Sequence, residues 1–139
     1  MFKKNSNKLP IISIITVVLN GEKTLNKCIQ SVINQSYPLN KIEYIVIDGG
    51  SRDRTISIIK KYKNKISYWH SKKDRGLYDA MNKGIKKSSG EIIGILNADD
   101  FYYKNALYIV KKYFENKKID FLFGTVKKDR ILHGFRPKK

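Results

Sequence analysis

The chain has 139 residues, enough for one domain, and 41% of them are hydrophobic, which excludes a disordered composition. Lys and Arg number 29 against 12 Asp and Glu, so the formal net charge is +17. Such an excess suits nucleic acid, an anionic membrane surface or a phosphate-bearing ligand. The lysines are scattered and no RNA-binding motif with interleaved aromatics accompanies them, which favours a solvated basic surface, and no nucleic acid is expected as a partner.

Cys28 is the only cysteine, so no disulfide can form within the chain, and a reducing compartment is favoured. It lies on an apolar helical stripe, which favours a small core residue over a nucleophile. Residues 1–8 form a basic leader that lacks the apolar core of a signal peptide. No apolar run approaches the roughly 18 residues that span a bilayer. We expect a cytoplasmic protein, with peripheral contact at the inner face of an anionic membrane as an alternative that the charge leaves open.

The first half of the chain indicates two successive strand–helix units. Residues 11–19 form a nearly continuous β-branched run, which is typical of a strand covered on both faces. Apolar residues at helical spacing then predict an amphipathic helix over residues 22–35. Residues 42–48 predict a second strand, and the helix after it carries Ile58 inward.

The second half continues the alternation of strands and helices. The predicted elements are a strand over 66–70, a helix containing Leu77 and Ile85, a strand over 91–96, a helix from Ala106 to Phe114, and strands at 121–126 and 131–132. This order predicts an α/β fold with a mostly parallel sheet and helices on both faces. One domain over residues 9–139 follows the basic leader.

Acidic residues follow two of the predicted strands. Right-handed crossovers bring the carboxyl ends of parallel strands to one edge, where ligands bind in open α/β sheets. Asp99 and Asp100 end an apolar run, and two adjacent carboxylates repel each other unless a cation lies beside them. Mg²⁺ or Mn²⁺ suits such oxygen ligands together with a substrate phosphate. The sequence therefore suggests a metal–nucleotide site, with simple helix capping by one of the two acids as the alternative.

Two further polar segments could either contact a ligand or serve only the local structure. Asp48 ends the second predicted strand before Gly49 and Gly50, so the backbone there either approaches a ligand closely or forms an ordinary turn. Asp79 and Lys83 are four residues apart and share a helix face, which either faces a phosphate-bearing ligand or is simply solvated.

Five segments together resemble a known family. They are residues 14–20, 31–37, 43–55, 74–84 and 90–100, the last ending in Asn97-Ala98-Asp99-Asp100. In these segments the chain resembles the N-terminal, nucleotide-sugar-binding part of the family 2 glycosyltransferases. The resemblance implies a Rossmann-like GT-A domain over residues 9–139.

The resemblance also implies roles for particular positions. Thr16, Val18 and Asn20 would line the nucleotide pocket, and Asp48 would recognise uracil or its surroundings. Many relatives carry a second Asp where this chain has Gly49, which departs from the family pattern. The remaining implied positions are Asp79 and Lys83 beside the nucleotide, Asn97 and Asp99 near the ribose or sugar, and Asp100, with Asp99, as ligands of Mn²⁺ or Mg²⁺.

The implied reaction is transfer of a hexosyl group, with inversion, from a nucleotide-diphosphate sugar to a hydroxyl acceptor. A uridine nucleotide is favoured, and the acceptor would be a glycan or a lipid-linked molecule in surface polysaccharide synthesis. Relatives supply the general base from a C-terminal acceptor-binding region, which we expect to be missing here. The acids after Asp100 are Glu115, Asp120 and Asp129, and none suits that role. A non-catalytic or partner-dependent nucleotide-sugar-binding fragment is therefore one alternative, and a basic nucleic-acid or membrane binder is another.

Overall fold

The computed structural model describes residues 8–116 and 119–124. Within them, a parallel sheet has the strand order β3-β2-β1-β4. The strands are β1 (Ile12–Val18), β2 (Ile42–Asp48), β3 (Tyr68–Ser71) and β4 (Ile92–Asn97). The helices are α1 (Leu25–Ile33), α2 (Thr55–Lys61), α3 (Leu77–Lys87) and α4 (Ala106–Asn116), and a 3-10 turn spans Leu39–Lys41. Because the strands run parallel, their carboxyl ends form one edge.

Helices lie on both faces of the sheet, as predicted, although Ile93 and Ile95 of β4 remain 44% and 43% exposed. Successive side chains of a strand point to opposite faces, so alternate residues of β1 enter two separate cores. Ile14 packs with residues of α1, α2 and α4, such as Ile29 of α1, while Ile15 packs on the other face against Ala80 of α3. All seven residues of β1 are buried, which explains its continuous β-branched sequence.

Helix α3 packs on the sheet through a glycine, Gly84. A Cβ atom at Gly84 would lie 2.4 Å from Cγ2 of Ile15, which is too short for a real contact. The glycine therefore lets α3 approach the middle of β1. This packing fixes the beginning of α3, with Asp79, near the carboxyl edge.

The structure differs from the sequence prediction after α4. Residues 121–124 are not in a strand, so the predicted fifth strand is wrong over that part. Phe121 and Phe123 are 81% and 91% exposed, and neither packs in the core of the described residues. The rest of that segment, the predicted strand at 131–132 and residues 1–7 lie outside the described residues. Nowhere in the described part of the chain is a helix long and apolar enough to cross a membrane.

Candidate functional site

The loops that follow β1 and β2 are joined to each other at the carboxyl edge. Asn20 has a left-handed backbone with φ of 51°, and its N–H donates to Oγ of Ser51 at 2.7 Å. Its side-chain oxygen accepts from the N–H of Arg52 at 2.9 Å, and the N–H of Gly21 donates to Oγ1 of Thr55 at 2.9 Å. Asn20, predicted to line a pocket, therefore also ties the two loops together while remaining exposed.

Asp48 organises the loop after β2. Its carboxylate is fully buried and accepts hydrogen bonds from the N–H groups of Gly50 and Ser51, at 3.1 and 3.0 Å. The hydroxyl groups of Ser51 and Ser71 also donate to it, the latter at 2.6 Å. The contact of Asp48 with a nucleotide base stays a prediction; in this structure the side chain has no exposed surface and its oxygens bind the protein's own donors. A buried carboxylate needs such partners to be stable.

Two other predicted pocket residues lie beneath the edge. Thr16 is fully buried, with Oγ1 at 3.1 Å from the hydroxyl of Tyr44 and 3.7 Å from Sγ of Cys28. Val18 is 7% exposed and belongs to the core cluster between the sheet and α1. Both side chains point to the face of the sheet that α1 covers, because alternate residues of a strand point to the same face. Their predicted place in the wall of a nucleotide pocket stays a prediction.

Asp74 is a site residue that the sequence did not single out. A Cβ atom at Gly49 would lie 2.7 Å from Oδ2 of Asp74, so this carboxylate fills the space that a side chain at position 49 would take. The other oxygen, Oδ1, accepts from the N–H of Gly76 at 2.9 Å. Where many relatives carry an Asp side chain, at position 49, this chain has a glycine and places the carboxylate of Asp74, from the β3–α3 connection, beside it. The only available signal was the polarity of residues 74–84.

Asp79 and Lys83 meet on one face of α3, as their spacing predicted. Nζ of Lys83 lies 2.9 Å from Oδ2 of Asp79, which also accepts from the N–H of Arg75 at 3.0 Å. The Arg75 hydrogen bond, followed by the one from Lys83, lowers the pKa of Asp79 to about 2. Asp79 is therefore ionised at neutral pH and stabilises the first turn of α3.

Asp99 and Asp100 lie on a tight turn, residues 97–100, which we call the acidic turn. The N–H of Asp100 donates to the carbonyl of Asn97 at 3.0 Å, which closes the turn directly after β4. Asn97 and Asp99 are exposed, and Asp100 is half-buried. Within residues 8–116 and 119–124, neither carboxylate takes part in an ion pair. Two adjacent anions thus face the edge without a compensating cation from the described part of the protein.

The charge of the acidic turn affects the pKa of Cys28 in the core beneath it. Sγ of Cys28 lies 3.5 Å from the carbonyl oxygen of Asn97. Burial raises the pKa of the Cys28 thiol, and the charges of Asp100 and Asp99 raise it further. This fits the prediction that Cys28 is a core residue and not a nucleophile, because only the thiolate is reactive.

The acidic turn has the chemistry for a divalent cation that is shared with a ligand. The described residues contain no group of three His, Cys, Asp or Glu side chains that could hold a metal by themselves. Mg²⁺ and Mn²⁺ sites often use only one or two carboxylates and take their other ligands from water and substrate phosphates. Asp99 and Asp100 fit that arrangement, which requires a phosphate-bearing ligand to complete it.

A cavity of about 700 Å³ runs between β3 and α3, and we call it the basic groove. It begins near Asp74 at the carboxyl edge and extends to the end of α3, where Nζ of Lys87 lies 4.9 Å from the ring centroid of Tyr68. Six cationic side chains line it: Lys72, Lys73, Arg75, Lys83, Lys86 and Lys87. Asp74 and Asp79 also line it, and Asp79 pairs with Arg75 and Lys83, so the excess of positive charge comes from the other four lysines. A concave surface with such an excess attracts anions.

Comparison with known proteins identifies the family. The model of glycosyl transferase family 2 matches residues 13–138, which is most of the chain. The chain belongs to glycosyl transferase family 2. Among solved structures, S. aureus TarS 1-349 in complex with UDP-GlcNAc is similar, with a TM-score of 0.69 and 26% identity over 76% of this chain and 31% of that one. The mannosyltransferase PcManGT of Pyrobaculum calidifontis, solved with GDP-Man and Mn²⁺, has a TM-score of 0.70 and 24% identity over 77% and 33%. These likenesses confirm the GT-A fold.

Curated glycosyltransferases that resemble this chain are longer than it. An uncharacterized glycosyltransferase of Mycobacterium tuberculosis H37Rv is 40% identical over 91 residues, which cover 66% of this chain and 34% of the relative. Glycosyltransferase AglE of Haloferax volcanii is 34% identical over 97 residues, covering 68% and 32%. The chain therefore spans about a third of the length of these two relatives and less than a fifth of others, such as one of Rickettsia bellii at 17%.

Exposure divides the ten positions that the family resemblance implicated. Six are exposed or half-buried and could reach a ligand: Asn20, Asp79, Lys83, Asn97, Asp99 and Asp100. Four are buried beneath the carboxyl edge: Thr16, Val18, Asp48 and Gly49. Nucleotide contact stays a prediction at all ten positions.

Proposed function

We propose that this chain is the donor-binding part of a glycosyltransferase that takes a hexosyl group from a uridine diphosphate sugar. The observation that carries the proposal is the acidic turn, which presents Asp99 and Asp100 at the carboxyl edge without a cationic partner among the described residues. Ligands of open α/β sheets bind at that edge. Family 2 membership and the likeness to TarS, whose structure holds UDP-GlcNAc, support a uridine nucleotide.

Mn²⁺ or Mg²⁺ is part of this proposal. Asp100, with Asp99 beside it, would hold the ion against the diphosphate of the donor. Such an ion stabilises the charge of a departing nucleoside diphosphate. The chain's own contribution is the turn, closed by the hydrogen bond from the N–H of Asp100 to the carbonyl of Asn97, which places both acidic residues directly after β4.

The proposed reaction is transfer to a hydroxyl group of a glycan or lipid-linked acceptor, with inversion, in surface polysaccharide synthesis. Inversion needs a base for the acceptor hydroxyl. Glu115 is paired with Lys111 at 2.8 Å on α4, and Asp120 is exposed beyond that helix. Glu115 lies in the last turn of α4, far along the helix from the acidic turn, and Asp129 lies outside the described residues. We therefore propose that catalysis requires a further region or a partner that supplies the base. Without either of them, this chain binds the donor but does not transfer the sugar.

Calorimetric titration tests the proposed function. We expect UDP and UDP-GlcNAc to bind the chain in the presence of Mn²⁺ and to bind much more weakly when the metal is chelated. GDP serves as the matched comparison for the base. Release of UDP from UDP-GlcNAc, measured in parallel with a glycan acceptor, separates a catalytic chain from a donor-binding one. Absence of nucleotide binding under all these conditions would contradict the proposal.

We further propose that the basic groove contacts an anionic membrane surface while the protein works in the cytoplasm. Its six cationic side chains, which include Lys86 and Lys87 at the end of α3, support this proposal. Each basic residue near such a surface contributes about 1 kcal/mol at most. Joint replacement of Lys72, Lys73, Lys86 and Lys87 by Gln should therefore weaken binding to vesicles containing phosphatidylserine by tenfold or more.

A control of equal charge separates the groove from the general basic character of the chain. Lys60, Lys61, Lys63 and Lys65 are exposed at and after the end of α2, and they do not line the groove. Their replacement by Gln should weaken vesicle binding much less. Equal losses from the two sets would contradict a specific groove. Tighter binding to duplex DNA than to vesicles would favour the nucleic-acid alternative instead.

A further inference from the structure

The segment from Ser31 to Tyr37 resembles the family pattern, yet none of its side chains belongs to the proposed donor site. It comprises the end of α1 and the turn that follows. Three of its residues bind the backbone that immediately follows the acidic turn. We call these residues, Ser31, Gln35 and Ser36, the α1 clamp.

The contacts of the α1 clamp follow one another along the chain. Oγ of Ser31 accepts from the N–H of Tyr102 at 3.1 Å, which is two residues after Asp100. The N–H of Ser36 donates to the carbonyl of Lys104 at 2.9 Å. The hydroxyl of Ser36 donates to Oδ1 of Asn105 at 2.7 Å.

Gln35 lies at the centre of the clamp and uses both ends of its carboxamide. Its Nε2 donates to the carbonyls of Ser31 at 2.9 Å and Tyr103 at 2.8 Å. Its Oε1 accepts from the N–H of Leu107, in the first turn of α4, at 3.1 Å. Gln35 is only 9% exposed, so the loss of either partner would leave a buried polar group unsatisfied. The same side chain thus joins α1, the segment after the acidic turn and the beginning of α4.

We propose that Gln35 is a positioning residue that fixes the direction in which Asp99 and Asp100 face. The acidic turn is held at its beginning by β4 and by the contact of Cys28 with Asn97. On its other side it continues directly into the residues bound by the α1 clamp. Both ends of a short turn are thereby fixed, which leaves the two carboxylates little freedom to move apart. Metal and substrate ligands act best when their own supports are rigid. This inference rests on the proposed function, because it assigns the clamp a role in metal–donor binding.

The test compares two glutamines of α1 and its adjoining turn. Gln35→Leu removes both hydrogen-bonding ends at similar volume, and Gln30→Leu makes the same change at an exposed position of α1. Gln35→Glu keeps an acceptor for the N–H of Leu107 but removes the donor to Tyr103. The new carboxylate oxygen would face the carbonyl oxygens of Ser31 and Tyr103, so this variant opposes the donor half of the contact. Its charge still suits the N–H of Leu107 at the N-terminus of α4.

The first readout is amide hydrogen exchange, which needs no nucleotide. In Gln35→Leu we expect the amides of Asp100 and Leu107 to exchange roughly three- to tenfold faster, as the loss of one or two hydrogen bonds predicts. The amide of Ile45 in β2 should be unaffected. Gln35→Glu, which keeps the acceptor, should exchange more slowly at Leu107 than Gln35→Leu but faster at Asp100 than the wild type. Gln30→Leu should match the wild type. Unchanged exchange at Asp100, or an equal rise at Ile45, would overturn the inference.

The second readout is the affinity for UDP in the presence of Mn²⁺, measured by calorimetry. We expect a roughly three- to tenfold loss in Gln35→Leu and none in Gln30→Leu. Gln35→Leu could exchange faster at Asp100 and still bind UDP with wild-type affinity. The α1 clamp would then order the turn without contributing to donor binding, and this result would also overturn the inference. If the wild type itself binds no nucleotide, the proposed function fails, and exchange at Asp100 alone decides whether Gln35 positions the turn.

Discussion

Replacement of Asp48 by alanine is expected to lower the free energy of unfolding by about 3–4 kcal/mol. The carboxylate is fully buried and accepts four hydrogen bonds. Two come from the N–H groups of Gly50 and Ser51, and two from the hydroxyl groups of Ser51 and Ser71. Removing it leaves several of these donors without partners inside the protein. Urea-induced unfolding followed by circular dichroism measures the change.

Two comparisons make the result for Asp48 specific. Asp120 is exposed, so Asp120→Ala should change the free energy of unfolding by less than about 0.5 kcal/mol. Asp48→Asn keeps one acceptor oxygen but turns an amide group toward the loop's own donors, and it should be destabilised to an intermediate extent. If Asp48→Ala unfolded at the wild-type urea concentration but lost affinity for UDP, Asp48 would be a ligand contact and not the organiser of the loop.

Replacement of Asp100 by alanine is expected to weaken Mn²⁺-dependent binding of UDP roughly 100-fold, which corresponds to about 2.7 kcal/mol. The half-buried carboxylate would be lost as a ligand of the shared ion, and Asp99 alone would remain on the acidic turn. Calorimetric titration of UDP into the variant, at saturating Mn²⁺, measures the loss.

The stability of Asp100→Ala supplies an independent check. Two adjacent carboxylates without a cation repel each other, so the metal-free variant should be as stable as the wild type or slightly more stable. Asp120→Ala, which removes the same charge at an exposed position away from the edge, should bind UDP normally. Equal losses of affinity in the two variants would indicate a general charge effect and contradict a metal site at Asp100.

The fold was predictable because its strands are short apolar runs and its helices have amphipathic spacing. The run at residues 11–19 became β1, buried along its whole length, and the run ending at Asp48 became β2. The prediction failed at residues 121–124, where an equally apolar run is exposed and unpaired. Sequence pattern shows that a segment could form a strand, but strand formation also needs a neighbour to accept its hydrogen bonds.

The candidate site was predictable only in outline. The position of the acidic turn followed from the end of an apolar strand, and the pairing of Asp79 with Lys83 followed from helical spacing. The burial of Asp48 did not, since one of its donors is Ser71, 23 residues away in sequence. Nor could the sequence place Asp74 beside Gly49, because that contact depends on how the β3–α3 connection returns to the edge.

The central claim is that the acidic turn holds a divalent cation together with a nucleoside diphosphate. The most direct test is the loss of amide NMR signals near paramagnetic Mn²⁺, with and without UDP. We predict that Mn²⁺ with UDP broadens the signals of Asp99 and Asp100 first and leaves those of α2 sharp. Weaker broadening should occur without UDP, because two carboxylates alone make an incomplete site. Broadening centred on Asp74 and Asp79, or none near the acidic turn, would contradict the claim.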